Sequence, residues 1–332
     1  MSASLPFLSV IVPAFNRPDG LKALLAALED QSYPPYRFEV LVCDDGSTPP
    51  LAERVGIKDC PFSVRFLRDT NQGPATARNR GIREARGSIV AFTDDDCLPE
   101  PTWLETIAEA MRDAALYAVH GPVKSAVPPI DPFVHSLNTK REDGVATANL
   151  AVRREMLLAV GGFDETFAAP YFEDFDLAKR LEAAYGPIAW RDDLIVQHPH
   201  RVVPFQKAFQ TAGFYRYLPY MQRKHPGFWP KAMAGVRKRS LAKAVLVLIG
   251  LAPLAGAPWS LAIAWIGLFA WQATRLQDLL KRLVAYNVAV PVQDQLAFVF
   301  FGWAVDFARW SAYISGKGMQ AKPAPAEELV LE

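Results

Sequence analysis

The chain has 332 residues, 51% of them hydrophobic, enough for one large core or for two domains. A formal net charge of +1 gives no basis for a nucleic-acid partner. Three cysteines, Cys43, Cys60 and Cys97, lack metal-site spacing and argue against a disulfide framework, which favours a reducing compartment. Residues 1–7 carry no basic segment followed by a signal-length apolar core, so no secretory leader is expected.

Residues 8–13 read as a first, central strand that Pro13 ends. Asn16, Arg17, Pro18 and Asp19 then make a turn with good N-cap candidates. Leu21, Leu24, Leu25 and Leu28 follow the i, i+3, i+4, i+7 spacing of a helix. A second strand over residues 38–43 runs into Asp44-Asp45-Gly46-Ser47, and a third short strand covers residues 64–67. Asn71-Gln72-Gly73-Pro74 leads into a helix expected from Ala75, with Gly87 as its C-terminal glycine. The next strand, residues 88–93, ends abruptly in Asp94-Asp95-Asp96. This alternation predicts βαβ units and a mostly parallel α/β sheet. Ligands of such sheets bind beyond the carboxyl ends of the strands, so two acid-ended strands at that edge predict one site.

Residues 117–120 read as a further strand and 122–132 as a proline-rich loop. Residues 143–152 lead into a short helix containing Arg153 and Arg154, broken at Gly161-Gly162-Phe163-Asp164. A helix follows from Glu173 to Ala184, then a closing strand over 188–196 and His198-Pro199-His200.

Three adjacent carboxylates repel one another unless a cation sits among them. Asp94 and Asp96 flank Asp95, and a turn would aim both at one point. Oxygen ligands suit Mg²⁺ or Mn²⁺, with Asp96 the more direct ligand; a solvated acidic turn is the plain alternative. Asp174 shares a helical stripe with Leu177, Ala178 and Leu181, and desolvation there raises a carboxyl pKa toward that of a useful base. A helix cap is the other reading of Asp174. Asp176 and Arg180 look like an exposed i, i+4 pair, and Glu173 suits the helix dipole of the first turn. One carboxylate of Asp44-Asp45 would accept a nucleobase N–H, or the pair is ordinary turn chemistry. Arg78 shares a face with Ala75 and Ile82, which suits a ligand or a buried acid, with a surface salt bridge as the alternative. Trp190 stacks on an acceptor or belongs to the core.

Five motifs in order carry a resemblance. Val10-Ile11-Val12-Pro13-Ala14-Phe15-Asn16 resembles the opening strand of family 2 glycosyltransferases, and Cys43-Asp44-Asp45-Gly46-Ser47 their nucleotide-binding turn. Asn71-Gln72-Gly73 through Ala77-Arg78-Asn79-Arg80-Gly81 is similar to their Arg-Asn-x-Gly helix, Phe92 to Asp96 to their Asp-x-Asp metal site, and Glu173-Asp174 to their Glu-Asp motif. The resemblance covers roughly residues 7–200. It implies a GT-A fold, a nucleotide-diphosphate sugar donor (UDP-sugar), a divalent metal, and inversion at the anomeric carbon by one in-line displacement. It implies donor contacts from Pro13, Asn16, Asp44, Asp45, Arg78, Asp94 and Asp95, and metal contacts from Asp94, Asp96 and His198. Asp174 takes the role of base, and Gly162, Phe163, Asp164, Glu173 and Trp190 fall on the acceptor side. His198 keeps a structural alternative, hydrogen-bonded at a strand end. A nucleotidyltransferase would want a glycine-rich basic loop that residues 12–20 do not supply. A catalytically silent sugar-nucleotide binder is the non-enzymatic alternative.

The expected division is a GT-A domain over residues 1–225 and a helical, membrane-associated region over 226–332. Lys231, Arg237, Lys238, Arg239 and Lys243 precede an apolar run, residues 244–270, interrupted by Pro253 and Pro258. Arg275, Lys281 and Arg282 follow, then an apolar segment around residues 296–305. About 20 apolar residues span a bilayer, but a single crossing would strand one basic cluster outside. A proline-bent hairpin on the cytoplasmic face of the plasma membrane, through residues 241–313, is therefore expected; a water-soluble helical domain is the alternative. Such an anchor suits a lipid-linked or envelope-glycan acceptor.

Overall fold

The structure, a computed structural model, describes residues 5–56, 60–130, 133–228 and 259–322. The chain forms two compact units, residues 1–126, 136–199 and 321–332 in the first, and 127–135 and 200–320 in the second.

The first unit is α/β. Its strands are β1 (Leu8–Ala14), β2 (Phe38–Asp44), β3 (Ser63–Arg68), β4 (Ile89–Phe92), β5 (Leu98–Pro99), β6 (Ala118–His120) and β7 (Val123–Lys124). After β8 (Val134–His135), which belongs to the second unit, come β9 (Leu150–Arg153), β10 (Ala189–Trp190) and β11 (Val196–Gln197). Seven strands make the main sheet in the order β10-β6-β9-β4-β1-β2-β3. β3, β2, β1 and β4 run parallel, with Leu8 opposite both Phe38 and Ile89, and Ile11 opposite both Leu41 and Phe92. This register brings Ala14, Asp44 and Phe92 to one edge. β1, β2 and β4 are apolar because both their faces are covered.

The helices are α1 (Pro18–Glu29), α2 (Leu51–Val55), α3 (Pro74–Glu84), α4 (Trp103–Ala110), α5 (Arg154–Ala159) and α6 (Glu173–Tyr185). On one face of the sheet, Leu21, Leu24 and Leu28 of α1 and Trp103 and Ile107 of α4 pack with Val10, Val12 and Val40. On the other, Ala75 and Ile82 of α3 and Leu177 and Leu181 of α6 pack with Ile11, Leu41 and Phe92. Gly81 lets α3 lie close to the sheet, since a Cβ there would stand 2.6 Å from Ile11 Cγ2 and 3.0 Å from Cys43 Sγ.

Three local expectations need correction. Residues 150–153, read as a lead into a helix, are β9, an antiparallel strand between β4 and β6. Three consecutive buried residues, Leu150, Ala151 and Val152, carry no periodicity that would announce a strand. The expected strand 188–196 is two strands in different sheets, β10 and β11, because the chain turns at Arg191, whose carbonyl accepts the Leu194 N–H. α3 stops at Glu84, not at Gly87; the Gly87 N–H goes to Ser9 Oγ at 2.8 Å and ties the chain to β1.

The second unit joins β8 antiparallel to β12 (Arg201–Val202) and adds α7 (Lys207–Gly213), α8 (Leu218–Lys224) and two longer helices, Trp259–Ala285 and Val292–Ser315. Phe133, Phe205, Leu279, Leu283, Phe298 and Val305 form its core. The buried Asp294 carboxylate accepts the Phe205 N–H at 2.8 Å. Among the described residues no helix is long and apolar enough to cross a membrane. The apolar run at 244–270 lies outside the described residues up to 258, with Pro253, Pro258 and the expected hairpin bend. The later apolar segment turns Phe298 and Val305 into the unit's own core.

Candidate active site

The β4 strand ends in a tight turn, closed by the Cys97 N–H donating to the Asp94 carbonyl at 3.0 Å. Two guanidinium groups pair with its three carboxylates. Arg17 Nη1 donates to Asp95 Oδ1 and to Asp96 Oδ2, both at 2.8 Å. Arg78 Nη2 reaches Asp94 Oδ1 at 2.8 Å, and Arg78 Nη1 reaches Glu173 Oε1 at 3.0 Å. Arg78 is only 4% exposed and meets the buried Glu173, so it does not make the surface salt bridge that was its alternative reading. Burial pushes the Asp95 carboxyl up to about 7, against the pull of Arg17. Arg17 is absent from the residues singled out by sequence; its signal is a cation placed directly after Asn16 at the end of β1.

Asp94 and Asp96 present carboxylate oxygens within 4.8 Å of one another and of Cys97 Sγ. His198, buried, holds Nε2 3.7 Å from Asp96 Oδ1. That spacing exceeds a hydrogen bond but suits two donors of one six-coordinate ion. Carboxylate oxygens with one imidazole fit Mg²⁺ or Mn²⁺. Cys97 offers a soft sulfur, which Mg²⁺ and Mn²⁺ favour less than oxygen donors, and burial raises its thiol. Asp96 therefore stands between two neighbours that suit a divalent cation, the Asp94 carboxylate on one side and His198 on the other.

At the ends of β1 and β2 the polar side chains tie loops together. Asp44 accepts the Ser47 N–H at 2.8 Å and the Leu51 N–H at 3.0 Å. Asp45 accepts the Gln72 N–H at 2.8 Å and the Gly73 N–H at 3.0 Å, which holds the start of α3 against β2. Burial raises the Asp45 carboxyl, and those two N–H groups oppose the rise. Asn16, with φ of 54°, donates its N–H to Ser47 Oγ at 2.9 Å and accepts the Thr48 N–H at 3.0 Å. Pro13 stands opposite Cys43 beside them.

Helix α6 begins after Phe172, which has a left-handed φ of 79°. Leu177, Ala178 and Leu181 are buried as the stripe predicted, and Asp174 beside them is half-buried. Burial raises the carboxyls of both Glu173 and Asp174; Arg78 opposes the rise in each. Asp176 pairs with Arg180 at 2.8 Å as the spacing predicted, but it is fully buried rather than solvated. The turn at 161–165 is pinned, not loose. Asn79 Nδ2 donates to the Phe163 carbonyl at 2.9 Å and to Glu165 Oε1 at 3.0 Å, and Asn79 Oδ1 accepts the Phe163 N–H at 2.7 Å. Gly162 is required there, because its φ is 66° and a Cβ would meet Asn79 Oδ1 at 2.4 Å. The Phe163 ring is buried edge-on against Phe92 and faces the Arg78 guanidinium. Asp164 Oδ1 accepts the Thr166 N–H at 2.9 Å.

Glu173, Arg78, Asp94 and Phe163 therefore come together, with Asp95, Asp96 and His198 adjoining and Asp174 next to Glu173. Trp190 does not join them. It lies on the edge strand β10, three strands from β4, packed on His120 and donating to Asp192. Asn79, which fixes the turn facing Arg78, was quoted within its motif but given no role.

A sheet of this topology with an acid-ended β4 and an opposed Glu-Asp helix defines a GT-A-like transferase. The family model for "Glycosyl transferase family 2" matches residues 9–166, and that for "Glycosyltransferase like family 2" matches residues 138–226. Glycosyltransferase AglE of Haloferax volcanii is 30% identical over 214 residues, 60% of this chain and 69% of AglE. A pre-mycofactocin glycosyltransferase of Mycobacterium tuberculosis is 29% identical over 58% of this chain, which spans only 43% of that relative. Among solved structures, mannosyltransferase PcManGT from Pyrobaculum calidifontis, in complex with GDP-Man and Mn²⁺, superposes with a TM-score of 0.52 at 20% identity, covering 94% of this chain and 88% of that one. S. aureus TarS gives 0.51 at 19%, covering 94% and 55%. The chain belongs to glycosyltransferase family 2.

Proposed function

We propose that the chain is an inverting, metal-dependent hexosyltransferase that moves a sugar from a UDP-sugar to an acceptor hydroxyl. The observation that carries the reading is the Arg78 bridge, which sets the Glu-Asp helix against the acid-ended strand. PcManGT is described with GDP-Man and Mn²⁺, and TarS residues 1–349 with UDP-GlcNAc, which supports a nucleotide-sugar donor. Pro13, Asn16, Asp44 and Asp45 line the nucleoside end, and Asp45 faces the base. Asp94, Asp96 and His198 hold Mg²⁺ or Mn²⁺, which when bound supplies positive charge for the departing diphosphate. Arg78 and Asp95 keep the acids beside it fixed in place.

Asp174 takes the proton from the acceptor hydroxyl as its oxygen attacks the anomeric carbon. The bond from that carbon to the diphosphate oxygen breaks on the opposite side, and the released nucleotide carries away the electron pair. Desolvation at the head of α6 favours proton uptake by Asp174. Gly162, Phe163, Asp164 and Glu173 shape or flank the acceptor side, without Trp190, which lies on the edge strand β10.

The reading extends to residues 1–225 as the catalytic part and 226–332 as a region lying on the cytoplasmic face of the plasma membrane. The support is the apolar run at 244–270 between basic clusters; a lipid-linked or envelope-glycan acceptor suits that placement. The test is release of UDP from a panel of UDP-sugars with Mn²⁺, measured for the wild type and Asp174→Asn. Turnover in the wild type and its loss in the variant are expected. Failure of every donor to turn over, or to raise the melting temperature, refutes the assignment. Sedimentation with anionic vesicles tests the membrane part separately, and a chain that stays in the supernatant removes it.

A further inference from the structure

Arg17 follows Asn16 in the loop after β1, and its carbonyl accepts the Leu21 N–H at 3.1 Å, so its backbone is fixed at the start of α1. A single nitrogen, Nη1, bridges Asp95 Oδ1 and Asp96 Oδ2 at 2.8 Å each. The other oxygen of Asp96, Oδ1, is the one that lies 3.7 Å from His198 Nε2. The two oxygens of Asp96 are thus divided between a fixed cation and the metal donor set. Asp95 holds Arg17 from below with a buried carboxyl and accepts the Phe15 N–H at 3.4 Å on its second oxygen. The side chain of Arg17 is 40% exposed, so it also faces the solvent from which a ligand arrives.

We propose that Arg17 is a positioning residue that holds down the affinity of the site for a divalent cation alone, so that the cation enters together with the diphosphate of the donor. The proposal rests on the metal assignment made under the proposed function. A guanidinium on Asp96 withdraws part of the charge that would attract a metal and repels the metal directly. Even at the dielectric constant of water, a unit charge about 6 Å from a divalent ion changes its affinity about tenfold. A diphosphate reverses that balance, because its own negative charge is attracted by Arg17 and by the metal alike. The affinity for metal is then low without nucleotide and high with it, and Arg17 is the group that makes the difference.

The experiment is a titration of the full chain with Mn²⁺, free ion read by electron paramagnetic resonance, with and without UDP and without any turnover. For Arg17→Gln, Mn²⁺ alone is expected to bind about tenfold more tightly than to the wild type. The gain in Mn²⁺ affinity on adding UDP is expected to shrink. Arg17→Lys, which keeps the charge, is expected to behave as the wild type does. A merely structural role for Arg17 would weaken Mn²⁺ binding, not strengthen it. Unchanged or weaker Mn²⁺ binding in Arg17→Gln overturns the proposal. So does a wild type that binds Mn²⁺ equally well with and without UDP, a measurement that does not depend on the variant folding. Asp96→Asn separates the two levels. If it leaves Mn²⁺ binding untouched, the metal assignment falls and Arg17 with it. If it abolishes binding while Arg17→Gln matches the wild type, only the proposal for Arg17 falls.

Discussion

Arg78 and Glu173 are 95 positions apart in the chain, yet their side chains meet at 3.0 Å with both of them buried. The same guanidinium reaches Asp94 at 2.8 Å, so one residue of α3 links the acid-ended strand to the helix that carries Asp174. A buried cation shared by two acids is costly to remove, because each acid is left without its counter-charge.

Arg78→Met is therefore expected to destabilise the fold by about 3–5 kcal/mol. The cost has a defined pH dependence. Burial already raises Glu173 above its ordinary value, and without Arg78 it rises further. A carboxyl whose folded-state pKa is raised holds its proton in the folded chain, so stability falls as pH rises from the unfolded value through the folded one. Thermal melts of wild type and variant should thus differ more at pH 8.5 than at pH 5.5. An equal difference at both would place the loss in packing instead.

Asp174→Asn should lower the transfer rate by about 10² or more while changing donor affinity little, since general-base catalysis contributes about 10²–10⁴. Transfer kinetics at saturating acceptor, with UDP affinity measured in parallel, check it. Near-normal turnover would rule out Asp174 as base.

The pH profile of kcat/KM should show an acid limb above the ordinary carboxylate range. Burial raises Asp174 and Glu173 together, and a base must be ionised to act, so activity is lost as pH falls through the raised values. The limb belongs to the pair rather than to either residue. A rate that stays flat down to pH 4.5 would show that neither carboxyl limits the reaction.

Gly81→Ala probes the scaffold. The added methyl would sit 2.6 Å from Ile11 Cγ2, so α3 or the β1 side chain must shift. Overpacking of this kind costs about 1–3 kcal/mol, offset by about 1 kcal/mol of helix propensity. The net expectation is a loss of about 0–2 kcal/mol in chemical denaturation, and a more stable variant would show that the contact relaxes freely.

Asp96→Asn should remove Mn²⁺-dependent UDP binding while leaving the melting temperature in the absence of metal close to that of the wild type, because the change removes charge without changing size. Calorimetric titration with UDP and Mn²⁺ reads the first and a thermal melt the second. Undiminished metal-dependent affinity would move the cation elsewhere.

The order of motifs from Val10 to Asp174 was legible because each is a local event. A β-branched run ended by acids, a proline at a helix start and a stripe of leucines all depend on neighbours a few positions away. The parallel strands and the faces of α1, α3 and α6 follow from those patterns, and the structure reproduces them. What the tertiary structure alone decided are pairings across long separations. Composition does not say that Arg17 reaches Asp95 and Asp96 while Arg78 reaches Asp94 and Glu173, since any of several cations has the charge for it. β9 was hidden because Leu150, Ala151 and Val152 are all buried and show no alternation, and Asp176 was misplaced because i, i+4 pairing is the same on a buried face as on a wet one. Trp190 looked available as a stacking residue until strand order put it on an edge three strands from β4. Local pattern sets which residues end each strand and line each helix. Only the crossing of distant segments sets which charges meet, because an ion pair is decided by distances of a few ångströms that no sequence spacing encodes.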